Sequence, residues 1–334
     1  MLVYRLDPAM EFAVSFDDIT AAAGRIKGLA VETPLLENTL LNEQVGGRVL
    51  LKAETLQRVG AFKFRGAYNR LSQLSDEEKK KGVVAWSSGN HAQGVAAAAG
   101  ILGIDATIIM PKDSPKIKVD NTRGYGATIH FYDRYSENRE EIGYRMSRET
   151  GATLVPSYDD PHIIAGQGTT GLELVTQADA LGVELDAVFV PCGGGGLCAG
   201  TSMAVRTQKP AVKFYAVEPE DFDDTARSFA SGKQERIDPT KKSICDALLT
   251  AYPGDLTFPI MRKYVDQVLT ISDDEARMAV KYAWEKLKLV VEPGGSAGLA
   301  AVLAGKLDCK GKTIAIVLSG GNVDSAMFEE CLNR

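Results

Sequence analysis

The chain alternates between short, almost continuous runs of apolar residues and longer segments in which apolar residues recur at helical spacing. Apolar runs of about four to eight residues are typical of strands that are buried on both faces of a sheet. Alternation of such strands with helices indicates an α/β fold built on mainly parallel sheets. The predicted strands are Arg48–Lys52, Val83–Ser88, Ala106–Pro111, Ala127–Tyr132, Ala152–Pro156, Ala187–Cys192, Lys213–Glu218, Gln267–Ser272 and Thr313–Ser319.

One helix can be predicted in detail, because its start and one of its faces are visible in the sequence. Ser272 followed three residues later by Glu275 is a capping box, in which the two residues satisfy free backbone N–H groups at a helix start. Apolar residues at helical spacing then form one face of the helix. They are Ala276, Val280, Ala283, Trp284 and Leu287.

The order of the predicted elements also indicates two domains. Residues 82–157 show strand, helix, strand, helix, strand, helix and strand, which would close a small four-stranded domain. Residues 1–81 and 158–334 would then form one larger domain that the small domain interrupts. The total of 334 residues fits about two domains.

Composition excludes several classes of protein. The formal net charge is −6, whereas nucleic-acid-binding proteins carry a basic face. No apolar run approaches the ~18 residues that span a membrane, and the first residues lack the apolar core of a signal peptide. Five scattered cysteines without a CxxC pair are typical of reduced thiols. We therefore expect a cytoplasmic protein that acts on a small molecule, without nucleic-acid or membrane partners.

Four consecutive glycines, Gly193 to Gly196, stand between a predicted strand and a predicted helix that begins at Leu197. Glycines at such a junction let backbone N–H groups converge on an anion, and the helix N-terminus adds partial positive charge. We therefore expect this loop to bind a phosphate group.

The same loop leaves a second hypothesis open. Gly194, Gly196 and Ala199 fit a dinucleotide-binding fingerprint, which is a weak pattern by itself. Glu218 ends the next predicted strand, where an acid that binds a ribose would stand. A nicotinamide-dependent dehydrogenase is therefore an alternative.

Three further segments carry candidate chemistry. Lys63 lies between two phenylalanines, and a lysine in apolar surroundings loses proton affinity and becomes a nucleophile or base; a solvated lysine at a helix start is the simpler interpretation of this segment alone. Ser87–His91 and Ser319 follow predicted strands, and open α/β sheets bind ligands at the carboxyl ends of their strands. Ser87–His91 suits an anionic group such as the carboxylate of an amino acid.

Taken together, these segments resemble the fold-type II pyridoxal-phosphate enzymes, in particular the branch of threonine dehydratases and serine racemases. The resemblance runs from Thr33 to Asp324. It implies a tryptophan synthase β-like α/β fold of two open, mainly parallel sheets, with the cofactor in the crevice between a large and a small domain. The matching segments, in the order of the family, are Ala61–Gly66, Ser87–His91, Gly166–Thr169, Gly193–Gly196 and Ser319–Asn322.

The resemblance also implies roles for individual residues. Lys63 would carry pyridoxal phosphate and, once freed by the substrate, remove the Cα proton as a general base. The substrate carboxylate would be bound by Ser87, Ser88, Asn90 and His91. The other cofactor contacts would be Phe62 against the ring, Asn90 at the ring oxygen, Gly193, Gly194, Gly195, Gly196 and Leu197 at the phosphate, and Ser319 at the ring nitrogen.

The reaction that the resemblance implies is elimination of water from L-threonine or L-serine, which yields a 2-oxo acid and ammonia. Ser88 stands where threonine dehydratases commonly have alanine and where racemases have a serine that acts as acid and base. Catalytic racemisation is therefore an alternative. Arg139 aligns with an arginine near the substrate and could hold a second carboxylate, such as that of hydroxyaspartate.

The segment from Glu218 to Asp224 resembles a divalent-cation site of the racemase-like branch. Its ligands here would be Glu218, the carbonyl oxygen of Phe222, and Asp224, which are hard donors suited to Mg²⁺, Mn²⁺ or Ca²⁺. An acidic surface turn is the alternative interpretation. Because the dinucleotide hypothesis uses the same Glu218, a cation there would count against it.

We therefore expect a pyridoxal-phosphate-dependent dehydratase of hydroxy amino acids, a lyase of the EC 4.3.1 type, that forms a homodimer as the family does. Serine racemase and 3-hydroxyaspartate dehydratase or racemase are the near alternatives. The NAD-dependent dehydrogenase and a non-catalytic amino-acid sensor are the remote ones. Because the chain ends soon after Ser319, the resemblance predicts no C-terminal regulatory domain.

Overall fold

A computed structural model describes residues 12–114, 116–238 and 240–333. Residues 1–11, which include the segment examined for a signal peptide, lie outside the described residues, as does Arg334. The strands are β1 (Leu35–Glu37), β2 (Arg48–Ala53), β3 (Val83–Trp86), β4 (Ala106–Pro111), β5 (Thr128–Tyr132), β6 (Thr153–Leu154), β7 (Ala187–Pro191), β8 (Lys213–Pro219), β9 (Gln267–Ile271) and β10 (Thr313–Leu318). The helices are α1 (Phe16–Ile26), α2 (Thr39–Val45), α3 (Lys63–Ser72), α4 (Asp76–Lys81), α5 (Asn90–Leu102), α6 (Lys116–Gly124), α7 (Arg139–Thr150), α8 (Pro161–Ala180), α9 (Gly196–Gln208), α10 (Asp224–Ser231), α11 (Thr257–Tyr264), α12 (Asp273–Tyr282), α13 (Ala297–Leu303) and α14 (Ser325–Leu332).

A six-stranded sheet forms the larger part of the fold, in the order β1-β2-β10-β7-β8-β9. Its neighbouring strands are parallel except at the edge, where β1 runs antiparallel to β2. Strands β2, β7 and β10 are buried almost throughout, as their apolar sequences predict for strands covered on both faces. All nine predicted strands are present. Strand β1 was not predicted, because three residues, of which two are half-buried and one is exposed, carry no periodicity.

A second sheet has four parallel strands in the order β5-β4-β3-β6. These strands lie within residues 83–154. The hydrophobic core beneath them also contains Phe64, Ala67 and Leu71 of α3, which precede residue 82. The division into residues 1–81 with 158–334 and residues 82–157 therefore stays a prediction.

Helices α8 and α9 cross at glycines, and this crossing positions the loop before α9. A Cβ atom on Gly200 would overlap the Ile164 carbonyl oxygen, and one on Gly168 would lie 2.9 Å from the Gly200 carbonyl oxygen. Only residues without a side chain allow two helix backbones to approach so closely. Because α9 begins at Gly196, the crossing sets where the tetraglycine loop lies.

The predicted capping box is confirmed at the start of α12. The Ser272 side chain accepts a hydrogen bond from the Glu275 N–H, and the Glu275 carboxylate accepts one from the Ser272 N–H. The prediction for the end of this helix is only partly correct. Ala283–Leu287 forms a π-helical turn, and Trp284 is 46% exposed because the wider turn rotates it out of the buried face.

Within the described parts of the chain, no helix is both long and apolar enough to cross a membrane.

Candidate active site

The candidate segments meet where strands of the two sheets end. Neighbouring strands β7 and β10 lead into the tetraglycine loop and into Ser319–Asn322, whereas β3 and β6 lead into Ser87–His91 and into Ser157. Lys63 crosses the gap between the sheets, since its Nζ donates a hydrogen bond to the Ser157 carbonyl oxygen at 2.6 Å. The segments therefore line one crevice between the sheets.

Lys63 begins α3 and is held in place by its neighbours in sequence. The Phe62 N–H donates to the Ser319 carbonyl oxygen at 3.1 Å, and the Gly321 N–H donates to the Gly60 carbonyl oxygen at 2.9 Å. These backbone bonds join the segment before Lys63 to the Ser319 loop. The Phe62 ring centroid is 5.2 Å from the Lys63 Nζ.

The surroundings of Lys63 favour its uncharged form. Burial lowers the pKa of Lys63 to about 8, although the nearby Glu292 acts in the opposite direction. A lysine with a pKa near 8 is partly neutral at physiological pH, and the neutral amine is the nucleophilic and basic form. Lys63 is half-buried and its Nζ has a backbone partner, so it is not the fully solvated side chain of the simpler interpretation.

The tetraglycine loop has no room for side chains. A Cβ atom on Gly194 would lie 2.5 Å from the Tyr158 ring, and one on Gly195 would lie 2.6 Å from a Met261 methyl group. Gly195 also has a φ of 92° and precedes the first turn of α9, in which Leu197 is buried. The Thr257 hydroxyl donates to the Gly194 carbonyl oxygen at 2.7 Å. The loop is thus a fixed backbone surface at a helix N-terminus, the geometry that binds phosphate.

The loop after β3 presents polar groups at the start of α5. The Ser87 hydroxyl accepts a hydrogen bond from the Gly89 N–H at 3.2 Å, and Ser88 is half-buried beside it. His91 is buried, and its Nε2 lies 2.9 Å from the Val155 carbonyl oxygen, so Nε2 carries the proton because a carbonyl only accepts. Burial lowers the pKa of His91 to about 3. His91 is therefore neutral and serves no role as an imidazolium.

Asn90 is the centre of a buried chain of polar side chains. Its Nδ2 donates to Glu292 Oε1 at 2.5 Å, and its Oδ1 accepts from Asn322 Nδ2 at 2.7 Å. Glu292 is buried, and this burial, together with the charge of Asp246, raises its pKa to about 8. Sequence analysis missed Glu292. Its only signal was an isolated acid after the apolar run Leu289–Val291.

Two carboxylates interact where β8 ends and α10 begins. Glu218 is fully buried and accepts hydrogen bonds from the N–H groups of Thr225 and Ala226. Asp224 is 1% exposed, and both of its carboxylate oxygens are without a hydrogen-bond partner in the described structure. Phe222 lies between them in a short 3-10 turn. Burial raises the pKa of Glu218 well above its ordinary range and that of Asp224 to about 7. The interpretation of this segment as a surface turn is correct for Glu220, which is exposed, but Glu218 and Asp224 are buried.

No group of three or more His, Cys, Asp or Glu side chains in the described residues is arranged to hold a metal ion. The predicted cation site has only two such side chains and a backbone carbonyl, so it stays a prediction. Arg139 also stays a prediction. It begins α7 after the Asn138 cap and is exposed.

Fold and site together define a class of protein. The chain forms two open α/β sheets that face each other across a crevice, with the tetraglycine loop on one side and Ser87–His91 on the other. A lysine of lowered pKa lies between the two loops. A glycine loop at a helix N-terminus, next to a lysine of lowered pKa, fits pyridoxal phosphate.

Comparison with known proteins agrees. The family described as pyridoxal-phosphate dependent enzyme matches residues 26–320. The chain is 47% identical to L-threo-3-hydroxyaspartate ammonia-lyase of Saccharomyces cerevisiae over 94% of this chain and 95% of that protein. It is 44% identical to serine racemase of Schizosaccharomyces pombe over 96% of this chain and 98% of that protein. The crystal structure of T.th. threonine deaminase matches with a TM-score of 0.87 and 44% identity, over 93% of this chain and 99% of that one.

The chain belongs to the family of pyridoxal-phosphate-dependent enzymes of fold type II. It is a lyase-type enzyme, as predicted. The dehydrogenase alternative is wrong, and the structure shows why its fingerprint misled. The dinucleotide hypothesis assigned Glu218 to a ribose. Glu218 is instead buried, and its carboxylate accepts hydrogen bonds from two backbone N–H groups at the start of α10.

Proposed function

We propose that this enzyme is an ammonia-lyase that eliminates water from a 3-hydroxy amino acid, with L-threo-3-hydroxyaspartate, L-serine and L-threonine as the candidate substrates. The observation that carries the proposal is Lys63, which has a lowered pKa and lies between the tetraglycine loop and Ser87–His91. The similar proteins named above include enzymes for hydroxyaspartate, serine and threonine.

The residues divide the work as follows. The tetraglycine loop and Leu197 would hold the phosphate of the cofactor, and Ser319 and Asn90 would contact its ring. When bound, the cofactor supplies an electron sink that stabilises negative charge at the substrate Cα. Ser87–His91 binds the substrate carboxylate with hydroxyl groups and the N–H groups that begin α5, and so directs the Cα–H bond towards Lys63. The neutral Lys63 amine takes this proton and, as an ammonium, can return it to the departing hydroxyl as water.

Replacement of Lys63 tests this division of work. Lys63→Ala should lose at least about 10³-fold in kcat, because both the covalent attachment and the general base disappear. It should still bind the cofactor reversibly through the phosphate loop, which an absorbance titration measures. A variant that turns over at the wild-type rate would refute the proposal.

The substrate is tested by comparing kcat/KM for hydroxyaspartate, serine and threonine. We propose that Arg139 holds the second carboxylate of hydroxyaspartate, because a guanidinium pairs with carboxylate through two hydrogen bonds. Arg139→Ala should raise KM for hydroxyaspartate by about 10-fold or more. An equal change for serine and threonine would contradict this role, and Arg148→Ala, also on α7, is the control.

Racemisation is a second candidate activity, and Ser88 favours it. The Ser87 hydroxyl is engaged by the Gly89 N–H, whereas Ser88 occupies the same loop and is half-buried. We propose that its hydroxyl exchanges a proton with Cα on the face opposite Lys63. Ser88→Ala should then abolish D-serine formation and retain pyruvate formation, measured on one sample. Parallel loss of both products would assign Ser88 to carboxylate binding alone.

We also propose a divalent cation at Glu218, the Phe222 carbonyl and Asp224. The support is Asp224, whose buried carboxylate oxygens lack partners among the described residues; an unpaired buried carboxylate is costly, and a hard cation removes that cost. Mg²⁺, Mn²⁺ or Ca²⁺ should raise the Tm of metal-stripped protein, and Asp224→Asn should remove the shift. No shift with any of the three ions would refute the site.

A cytoplasmic homodimer completes the proposal. The five cysteines are free and buried, which suits a reducing compartment. Light scattering of the purified protein at several concentrations tests the dimer.

A further inference from the structure

Asn322 is the last residue of the Ser319–Asn322 segment, and the proposed function assigns it no role. Its Nδ2 donates to the Val59 carbonyl oxygen at 2.8 Å and to Asn90 Oδ1 at 2.7 Å. One amide nitrogen therefore joins the segment before Lys63 to the first residue of α5. Both of its hydrogens are used.

The donors and acceptors in this chain of hydrogen bonds can be assigned in only one way. A backbone carbonyl accepts and never donates, so the atom of Asn322 that faces Val59 is the amide nitrogen. The atom of Asn90 that receives the second hydrogen is then its oxygen. Asn90 Nδ2 is left on the opposite side, where it donates to Glu292 Oε1 at 2.5 Å, and its second hydrogen remains for a ligand in the crevice.

The carbonyl that begins the chain is held by an unusual backbone. Val59 has a φ of 63°, and Gly60 after it has a φ of 70°. A β-branched residue rarely adopts a positive φ, and such conformations persist where the surroundings hold them. The Gly60 backbone lies close to the Asn322 side chain, because a Cβ atom on Gly60 would lie 2.9 Å from Asn322 Oδ1. The Val59–Gly60 turn therefore packs closely against the Asn322 amide group.

We propose that Asn322 is a positioning residue, which fixes the side-chain amide of Asn90 so that its nitrogen faces the crevice. This inference rests on the proposed function, in which Asn90 contacts the ring of the cofactor. Without Asn322, the Asn90 amide can rotate and present its oxygen to the ring oxygen. Two acceptors would then face each other, and the ring oxygen would lose its donor.

The test uses the holoenzyme and needs no substrate. Asn322→Leu keeps a similar volume but removes both donors, and Asn121→Leu is the matched control because Asn121 lines the same cavity as Asn322. We expect Asn322→Leu to shift the visible absorption band of the bound cofactor and its pH dependence, and to weaken cofactor binding by up to about tenfold. The control should leave all three unchanged.

A double-mutant cycle shows whether Asn322 acts through Asn90. In the Asn90→Ala background, Asn322→Leu should cause no further change in spectrum or cofactor affinity, because residues that act as one unit are not additive. Should leucine prevent folding, Asn322→Ser replaces it, since one short hydroxyl can serve Val59 but cannot also reach Asn90.

An unchanged spectrum and pH profile in the Asn322 variants, or additive effects in the cycle, would overturn the inference. A wild-type protein with a normal cofactor spectrum but no turnover of hydroxy amino acids would refute the proposed function instead. The two failures are therefore distinguishable.

Discussion

Glu292 lies in a buried environment that disfavours the ionised form of its carboxyl group. It is fully buried, and burial raises its pKa from 4.5 to about 8. Between these pH values the folded protein binds this proton more tightly than the unfolded chain does. The free energy of unfolding therefore falls as the pH rises through this window, by up to about 1.4 kcal/mol per pH unit.

Glu292→Gln should remove this dependence. We expect the free energy of unfolding of the apoenzyme to decline less steeply from pH 5 to pH 8 in the variant than in the wild type. Urea unfolding at several pH values measures the free energy of unfolding of both proteins. The other buried carboxylates are present in both, so their contributions cancel when the two pH profiles are subtracted. The exposed Glu149→Gln is the control, and parallel wild-type and Glu292→Gln curves would contradict the prediction.

At the scale of elements, the crossing of α8 and α9 depends on a missing side chain. Gly200→Ala should cost about 1–3 kcal/mol, because its Cβ atom would overlap the Ile164 carbonyl oxygen and force the helices apart. Gly24→Ala is the matched control, since Gly24 lies within α1 and has open space around its Cα atom. It should stabilise by up to about 1 kcal/mol. Thermal unfolding compares them, and equal effects would show that the crossing tolerates a methyl group.

The start of α3 is anchored by a buried group of charges. Arg65 is paired with Glu54 at 2.8 Å and with Glu173 at 2.7 Å, and Lys52 also contacts Glu173. The side chains of Arg65, Glu54 and Lys52 are 0% exposed. Because Arg65 follows Lys63 by two residues, this group fixes the turn that presents Lys63.

Arg65→Met should destabilise the protein by about 3–5 kcal/mol, since Glu54 would be left buried without its partner. The double variant Arg65→Met with Glu54→Gln should lose less than the single variant, because the unpaired charge is gone. Arg48→Met is the control, as its partly exposed pair with Glu37 is worth less than about 1 kcal/mol. Urea unfolding measures all three, and a single variant no worse than the control would be inconsistent with this account.

At the scale of the whole molecule, an ion pair links α6, which connects two strands of the smaller sheet, to a turn beside the tetraglycine loop. Lys118 of α6 contacts Asp246 at 2.6 Å, and its side chain is 11% exposed. Asp246 begins the turn Asp246–Leu248, which lies against the tetraglycine loop; a Cβ atom on Gly193 would be 3.1 Å from the Leu248 Cα atom. The pair therefore holds α6 against the turn that packs on the tetraglycine loop.

Lys118→Met should raise the substrate KM and the rate of cofactor release about fivefold, because a mostly buried partner of Asp246 is lost. Lys116→Met is the matched control, since Lys116 lies on the same helix and is 89% exposed. The exchanged pair Lys118→Asp with Asp246→Lys should recover part of the loss. Steady-state kinetics and cofactor fluorescence measure both quantities, and equal behaviour of the two methionine variants would rule out this role.

The strands and the loops of the site follow from local sequence. Apolar runs identified nine strands, because burial on both faces requires apolar side chains at successive positions. Gly193–Gly196 and Ser87–His91 were recognisable because each follows such a run directly. Strand β1 was missed for the opposite reason, since its three residues become a strand only through pairing with β2.

The sequence by itself determined the class of fold, the order of the elements and the segments that are candidates for the active site, since all of these depend on neighbours along the chain. The tertiary structure decided which of those segments touch. Glu292 and Asn90 are 202 positions apart, and Asn322 and Val59 are 263 positions apart; only the strand order brings them together. The lowered pKa of Lys63 and the raised pKa of Glu292 arise in the same way, because burial is a property of the packed molecule and not of any local pattern.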